Sequence, residues 1–306
     1  MRVVFMGTPD FAAASLKAMT DAGLDVVGVV SQPDRPKGRG HKLVPTDVKA
    51  AALEAGIENI YQPEKLRNGE LQPVLDKLKP ELIVVVAYGK ILPDYIIDYP
   101  KYGCVNVHAS LLPKYRGAGP IQWAIINGEK VTGVTTMKMD SGLDTGDMLL
   151  KQAVKVENLE TAAEYFDRLS AVGAELLLKT LAGLKAGEIT PIKQDEAEAT
   201  YAPMLSKEMC PIDFSVSCEE VYNKIQGLSD WPCATCIVDG KKLKIYRCEK
   251  LKASGQPGTV INPADFTVAC GSGAVRFLEI QAEGSKRMPA ADYLRGHPIS
   301  KNTIIN

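Results

Sequence analysis

The chain has 306 residues, 45% of them hydrophobic and 24% charged, with a formal net charge of −1. These are ordinary globular proportions, which exclude a disordered, collagen-like or coiled-coil chain, and no apolar run reaches the ~20 residues of a membrane span. Seven scattered cysteines are too few for a disulfide framework and read as reduced thiols. Met1-Arg2 leads straight into Val3-Val4-Phe5 with no cleavage-site pattern, so a soluble, cytoplasmic protein without membrane partners is expected. The length suggests two domains. Residues 207–306 hold 13 Lys+Arg against 11 Asp+Glu, a slight excess that suits a polyanionic partner and equally suits a solvated surface.

Along the first half, strands alternate with helices. Val3-Val4-Phe5-Met6 is a buried strand; Gly7 turns the chain, Thr8 is placed to cap a helix and Pro9 to open it. Phe11, Ala14, Leu16, Ala18 and Met19 fit a helix packed on a sheet. Val26–Val30 is a second strand, and Thr46 caps a helix to about residue 55. Leu82–Val86 is apolar throughout, as a strand covered on both faces should be, and Cys104–His108 follows the same pattern. Strands at 132–139 and 148–156 precede a long helix at 160–186, whose Ala162, Phe166, Leu169, Val172, Leu176, Leu177 and Leu181 recur at three- and four-residue steps. This alternation predicts an α/β, doubly wound, Rossmann-like domain with a mostly parallel sheet over residues 1–188.

Residues 189–206 lose all periodicity and read as an exposed linker. Residues 207–306 change character. Ser217-Cys218-Glu219-Glu220 is a capping box. Strands at 234–238 and 241–246 flank Asp239-Gly240, those at 266–270 and 274–280 flank Gly271-Ser272-Gly273, and 258–261 adds another. The pattern predicts a C-terminal OB-like β-barrel domain.

Chemistry concentrates in three places. Asn106 and His108 end a buried strand and point the same way, at the end where open α/β sheets bind ligands. An amide can donate to an oxyanion while an imidazole moves a proton; in isolation such a pair is more often a satisfied core histidine. Residues 110–120, with Pro113, Gly117 and Gly119, form a shaped loop whose backbone can contact a flat ligand closely; the plainer alternative is an ordinary loop with one solvated arginine, Arg116. The loop 140–147 carries Asp140, Asp144 and Asp147. Its spacing is not that of a calcium loop, so no metal is expected; Asp144 is the carboxylate placed to orient His108, and Asp140 and Asp147 read as loop architecture. Gly7 lacks the companion glycines of a dinucleotide fingerprint. Cys233 and Cys236 lack a second pair for zinc. Residues 31–43 hold Arg35, Lys37, Arg39 and Lys42 against Asp34 alone, and the hairpin at 241–252 holds Lys241, Lys242, Lys244, Arg247, Lys250 and Lys252. Either can follow a phosphate backbone; composition alone favours a solvated loop for the first.

Several whole segments stand out: Met6-Gly7-Thr8-Pro9-Asp10-Phe11-Ala12, Gln32-Pro33-Asp34-Arg35-Pro36, Gly38-Arg39-Gly40 and Val86-Ala87-Tyr88-Gly89-Lys90-Ile91-Leu92-Pro93. To these are added Asn106-Val107-His108, Ser110-Leu111-Leu112-Pro113 with Arg116-Gly117, the stretch from Met139-Asp140 to Asp147-Met148, Tyr201-Ala202, Leu205-Ser206-Lys207, Trp231-Pro232 and Met288-Pro289-Ala290-Ala291-Asp292. Together they resemble, over essentially the whole chain, the methionyl-tRNA formyltransferase family of 10-formyltetrahydrofolate-dependent formyltransferases. The resemblance implies formyl transfer from 10-formyltetrahydrofolate to the α-amine of methionyl-initiator-tRNA. It implies Asn106, His108 and Asp144 as the catalytic group. Ser110, Leu111, Leu112, Pro113, Val86, Ala87, Tyr88, Gly89, Ile91, Met139 and Asp140 would line the folate site. Arg35, Lys37, Arg39 and Lys42, with Lys241 and Lys244 of the barrel, would contact tRNA. A monomer is expected. Two other readings stay open: a related formyltransferase acting on a small amine such as a nucleotide amino-sugar, and a non-catalytic RNA-binding protein on the same fold.

Overall fold

The computed structural model describes residues 1–37 and 42–305, with the side chains of Lys37 and Lys42 left aside. The chain packs into two compact units, one of residues 1–117, 133–154 and 167–201, the other of 118–132, 155–166 and 202–306.

In chain order the elements are β1 (Val3–Gly7), α1 (Asp10–Asp21), β2 (Val26–Val30), β3 (Arg35–Lys37), β4 (Lys42–Val44), α2 (Asp47–Glu54), β5 (Ile60–Tyr61), α3 (Gln72–Leu78), β6 (Leu82–Val86), α4 (Asp94–Ile97), β7 (Cys104–His108), β8 (Arg116–Gly117), α5 (Pro120–Ile126), β9 (Val131–Lys138), β10 (Met148–Lys155), α6 (Ala162–Ala186) and β11 (Tyr201–Ala202). There follow α7 (Cys218–Leu228), β12 (Ala234–Val238), β13 (Lys241–Leu251), β14 (Val260–Asn262), β15 (Thr267–Ala269), β16 (Ala274–Ala282), β17 (Met288–Pro289) and α8 (Ala290–Gly296). The expected mostly parallel sheet has the order β10-β9-β7-β6-β1-β2-β5. Pairings β1–β2, β1–β6, β2–β5 and β6–β7 are parallel, whereas β7–β9 is antiparallel. Successive strands run outward from β1 through β2 to β5, then resume on its other side at β6. The switch point therefore lies between β1 and β6, where open α/β sheets form a ligand crevice.

The apolar strands are buried because both faces are covered: all five residues of β1, of β6 and of β7 are buried. On one face Val4, Met6, Val30, Ile83 and Val85 pack with Leu75, Leu78, Ile96 and Ile97 of α3 and α4. On the other, α6 comes so close that a Cβ at Gly173 would lie 3.2 Å from Val107 Cγ1 and 3.6 Å from Val134 Cγ1. Gly7, the last residue of β1, has the same purpose beside α1, since a Cβ there would fall 2.7 Å from Ala12 Cβ and 2.9 Å from Val86 O. It is a packing glycine.

The cap signals divide. Thr46 accepts a hydrogen bond from Lys49 N at 3.2 Å, as its position before α2 predicts. Thr8 does not cap α1, whose N-cap is Pro9. Its hydroxyl donates instead to Tyr88 O at 2.9 Å, in the turn after β6, a carbonyl that also accepts from Gln32 Nε2 at 3.1 Å.

The second unit holds an antiparallel sheet in the order β12-β13-β16-β15-β14, with β17 on β16. Its core contains Phe214, Phe266, Phe277, Ile245, Ile280, Val221 and Ile225. Both hairpins lie where the turn residues place them, β13 and β16 being longer than the turns alone foretell. Ser217 caps α7: its hydroxyl accepts from Glu220 N at 3.2 Å while Glu220 Oε2 accepts from Ser217 N at 3.0 Å. Ser217→Ala removes one side of this box and is expected to lower unfolding stability by about 1 kcal/mol, read as a lowered urea midpoint at unchanged slope.

Candidate active site

Strand β7 ends with Asn106 and His108, 9% and 6% exposed, on one face of the strand. His108 Nε2 lies 2.9 Å from Tyr115 O. A carbonyl only accepts, so Nε2 carries the hydrogen, and Nδ1 is left as the ring atom that can exchange a proton. Asp144 Oδ2 lies 3.6 Å from that Nδ1. The distance is too long for a hydrogen bond, yet it sets a carboxylate opposite the proton-exchanging atom in a nearly water-free setting.

Asp144 is held from three sides. Its Oδ2 accepts from Gly117 N at 2.8 Å. Its backbone sits at φ +54°, a left-handed conformation that asparagine and aspartate tolerate better than most residues. Its carbonyl and that of Gly146 accept from Gln194 Nε2 at 2.7 and 2.8 Å. Asp140 shapes the same loop, its Oδ1 accepting from Gly142 N at 3.0 Å and from Thr145 Oγ1 at 2.7 Å.

Arg116 is fully buried, not the solvated residue its loop suggests. Its Nε donates to Gln194 Oε1 at 3.0 Å, and Nη1 and Nη2 donate to Glu196 Oε2 and Oε1 at 2.9 and 2.7 Å. Thr200 completes the clasp. Tyr115 N donates to its hydroxyl at 2.9 Å, Arg116 N to its carbonyl at 2.8 Å, and its own N to Pro113 O at 3.3 Å. The polar stretch 194–200, which composition reads as solvated linker, is thus the frame of the loop that carries the His108 acceptor.

The other residues divide by placement. Ser110 Oγ donates to Lys114 O at 2.6 Å, and Thr135 Oγ1, on the neighbouring β9, donates to Ser110 O at 2.7 Å. The side chains of Leu112, Val86 and Tyr88 are buried, Leu112 packing with Met137 and Met148. Met139 packs partly buried against the α3–α4 face of the sheet. What β6 offers at its carboxyl end is backbone, with Ala87 and Gly89 both at positive φ, and the side chain of Ile91, which is 86% exposed. Those groups can hold a flat, partly polar ring by backbone hydrogen bonds and an apolar lid. Pro113 and Leu111 lie on the tethered stretch after β7.

Of the basic residues, Arg35, Lys241 and Lys244 are exposed. Arg39 and the side chains of Lys37 and Lys42 lie outside the described residues. Two hairpin cations are committed: Arg247 pairs with Glu164, and Lys250 with Glu219. Asp34, at the root of the β3–β4 hairpin, is tied to Lys49 Nζ at 2.6 Å and Gln62 Nε2 at 2.6 Å; these hydrogen bonds hold its carboxyl below the ordinary range. No sequence signal marks Gln194, Glu196, Thr200 or Gln62. All seven cysteines are unpaired thiols, and burial pushes Cys233 up to about 11 and Cys236 up to about 12. Among the described residues no group of three or more His, Cys, Asp or Glu could hold a metal ion, and no helix is long and apolar enough to cross a membrane.

Residues 1–181 match the family model described as formyl transferase, and residues 204–298 match that of the formyl transferase C-terminal domain. The chain belongs to the formyl transferase family. Among its curated relatives, the methionyl-tRNA formyltransferase of Caldanaerobacter subterraneus subsp. tengcongensis is 52% identical over 309 residues, covering 100% of both chains. That of Lachnospira eligens is 50% identical over 314 residues, covering 100% of this chain and 99% of its own. Solved structures share the fold at lower identity. The N-formyltransferase of Helicobacter canadensis, in complex with folinic acid and dTDP-3-aminofucose, aligns with a TM-score of 0.69 at 17% identity over 90% of this chain and 98% of that one. HypX of Aquifex aeolicus with tetrahydrofolic acid aligns with a TM-score of 0.64 at 18% identity over 96% of this chain; this chain spans 47% of HypX.

Within this family frame the Arg116–Glu196 pair has a measurable signature. The hydrogen bond from Arg116 holds the Glu196 carboxyl below its ordinary value of 4.5. A lowered folded value means that the pair stabilises the protein fully above pH 4.5 and less as the pH falls through the lowered value. Wild type should therefore exceed Glu196→Gln in urea midpoint at about pH 7, with the gap closing in acid.

Proposed function

We propose that this chain transfers the formyl group of 10-formyltetrahydrofolate to the α-amine of methionyl-initiator-tRNA. The observation that carries the reading is the meeting of Asn106, His108 and Asp144 at the carboxyl end of β7, in a chain about half identical, end to end, to methionyl-tRNA formyltransferases. When bound, the folate supplies an electrophilic formyl carbon, to which the amine nitrogen bonds while the bond to the donor nitrogen breaks. Asn106 donates its amide N–H to the formyl oxygen as negative charge gathers there. His108 takes a proton from the attacking amine at Nδ1 and returns one to the leaving nitrogen, its Nε2–H fixed meanwhile on Tyr115 O. Asp144 keeps the ring in register and faces the cation that forms.

The folate would lie against Ser110, Leu111, Leu112, Pro113, Val86, Ala87, Tyr88, Gly89, Ile91, Met139 and Asp140. The exposed Ile91 and the positive-φ backbone at Ala87 and Gly89 fit such a ring, whereas Val86, Tyr88 and Leu112 support from behind. We read residues 1–188 as the catalytic domain, to which the stretch 194–200 of the expected 189–206 linker is tied, and 207–306 as an OB-like barrel that binds tRNA. Support for the barrel comes from bridges that join the chain's last residues to the sheet, Val238 to Ile305 and Thr259 to Ile304. Arg35, Lys37, Arg39 and Lys42 would track the acceptor end of the tRNA, and Lys241 and Lys244 its backbone. The protein acts as a cytoplasmic monomer in this reading.

The test is formyl transfer from 10-formyltetrahydrofolate to Met-charged initiator tRNA, with free methionine and a nucleotide amino-sugar as parallel acceptors. Formyl-Met-tRNA as sole product is expected; transfer to the sugar alone, or to none, overturns the proposal. His108→Ala should lower kcat by about 10²- to 10⁴-fold and Asn106→Ala by about 10²- to 10³-fold, with folding intact. Arg39→Ala should raise KM for Met-tRNA and leave folate binding unchanged, as measured by titration of folate against both proteins.

A further inference from the structure

We infer that Gln194 is a positioning residue for this reaction: it holds the Asp144 loop so that the carboxylate faces His108. The inference rests on the proposed formyl transfer. Its geometry is closed. Arg116 Nε can only donate, so it fixes which end of the Gln194 amide carries oxygen. The NH2 end must then face the loop, where its two hydrogens meet two acceptors, Asp144 O and Gly146 O. Arg116 cannot turn away, because Glu196 takes both its terminal nitrogens and the side chain is fully buried. One amide thus joins a fixed cation to two consecutive bends of the loop.

The loop needs this tie. Asp144 sits at φ +54°, and a Cβ at Gly146 would lie 1.9 Å from Lys138 O, so the backbone on either side of residue 145 is tightly constrained. Gln194 ties the backbone of Asp144, and the carboxylate itself is tethered by the bond from Gly117 N to Oδ2. With Gln194 removed, two carbonyls lose their donor and Asp144 can turn out of line with Nδ1. A misplacement of about 1 Å at a reacting group costs up to about 10²-fold in rate.

Gln194→Ala and Gln194→Glu test it in the full-length protein. Glu keeps the acceptor for Arg116 but sets a carboxylate oxygen against two carbonyls. Both variants should lower kcat for Met-tRNA by about 10- to 100-fold while KM for tRNA and binding of 5-formyltetrahydrofolate stay within about twofold. On an Asp144→Asn background, in single turnover, Gln194→Ala should cost less than about twofold more, because the two residues act as one unit. Hydrogen exchange at Gly117 N, whose acceptor is the Asp144 carboxylate, should quicken in both variants whether or not the protein transfers formyl groups. Unchanged kcat, full additivity with Asp144→Asn, a wild-type-like Gln194→Glu or an unchanged Gly117 amide overturns the inference. A wild type that formylates no Met-tRNA instead overturns the proposed reaction, and the Gly117 amide still decides whether Gln194 positions the loop.

Discussion

A guanidinium with no exposure to water must have its donors met by the protein, and the Arg116 side chain is in that position. The stretch 194–200 meets them, and in doing so it fixes both halves of the site. One half is the Tyr115 carbonyl, which sets the His108 tautomer and is kept in place by the bond from Tyr115 N to Thr200. The other is the Asp144 loop, which hangs from Gln194. The guanidinium's planar fork matters here, since its Nε points to one partner while the two terminal nitrogens grip a carboxylate. Lysine could neutralise Glu196, but its single compact ammonium does not reproduce the fixed planar separation of these two partners. The Glu196 side chain is 71% exposed, so solvent screens the pair and its contribution to stability is modest. Its effect is on where backbone and side chains come to rest.

The sheet explains why these groups converge at β7. This strand pairs in parallel with β6 and antiparallel with β9, so it is the last strand of the parallel series. Asn106 lies across from Val85 on one side and from Met137 on the other, and His108 across from Thr135. Because β9 returns beside β7, the hydroxyl of Thr135 can reach the stretch beyond it, donating to Ser110 O and accepting from Leu112 N at 3.1 Å. A further parallel strand would have needed a crossover connection and left that stretch without such a neighbour. The change of direction therefore orders the loop after His108 at its near end, and Thr200 orders it at its far end.

What could be read in advance follows from the range over which each signal acts. The buried run Leu82–Val86, the capping box at Ser217 and the Asp239-Gly240 turn are set by neighbours in the chain, and sequence reasoning places them. Asn106 and His108 were legible because strand periodicity puts them on one face, and Asp144 because its loop joins neighbouring strands. Thr8 shows the limit: its local chemistry suits a cap, but a carbonyl 80 residues away takes its hydrogen. Gln194 and Glu196 stand in a polar, aperiodic stretch whose composition is that of solvated chain. Their partners lie 48 to 80 residues earlier, and nothing local records that. The burial of Arg116 is hidden from its local sequence for the same reason, since burial of a charged side chain depends on distant groups that neutralise it.

Charge follows a similar logic. A net charge of −1 gives no overall attraction to a polyanion, so recognition of a phosphate backbone must come from local excess. Counting lysines and arginines overstates that excess in the hairpin. Arg247 is spent on Glu164 and on Leu159 O, which its Nη1 reaches at 3.1 Å, and Lys250 on Glu219. These pairs tie β13 to the start of α6 and to α7 within the second unit. The exposed cations of the strand stand at its beginning, at Lys241, Lys242 and Lys244, where β13 pairs with β12. A strand whose one end is neutralised by its own scaffold and whose other end is exposed presents charge as a short, directed patch. Such a patch can select where a backbone lies without holding every polyanion it meets.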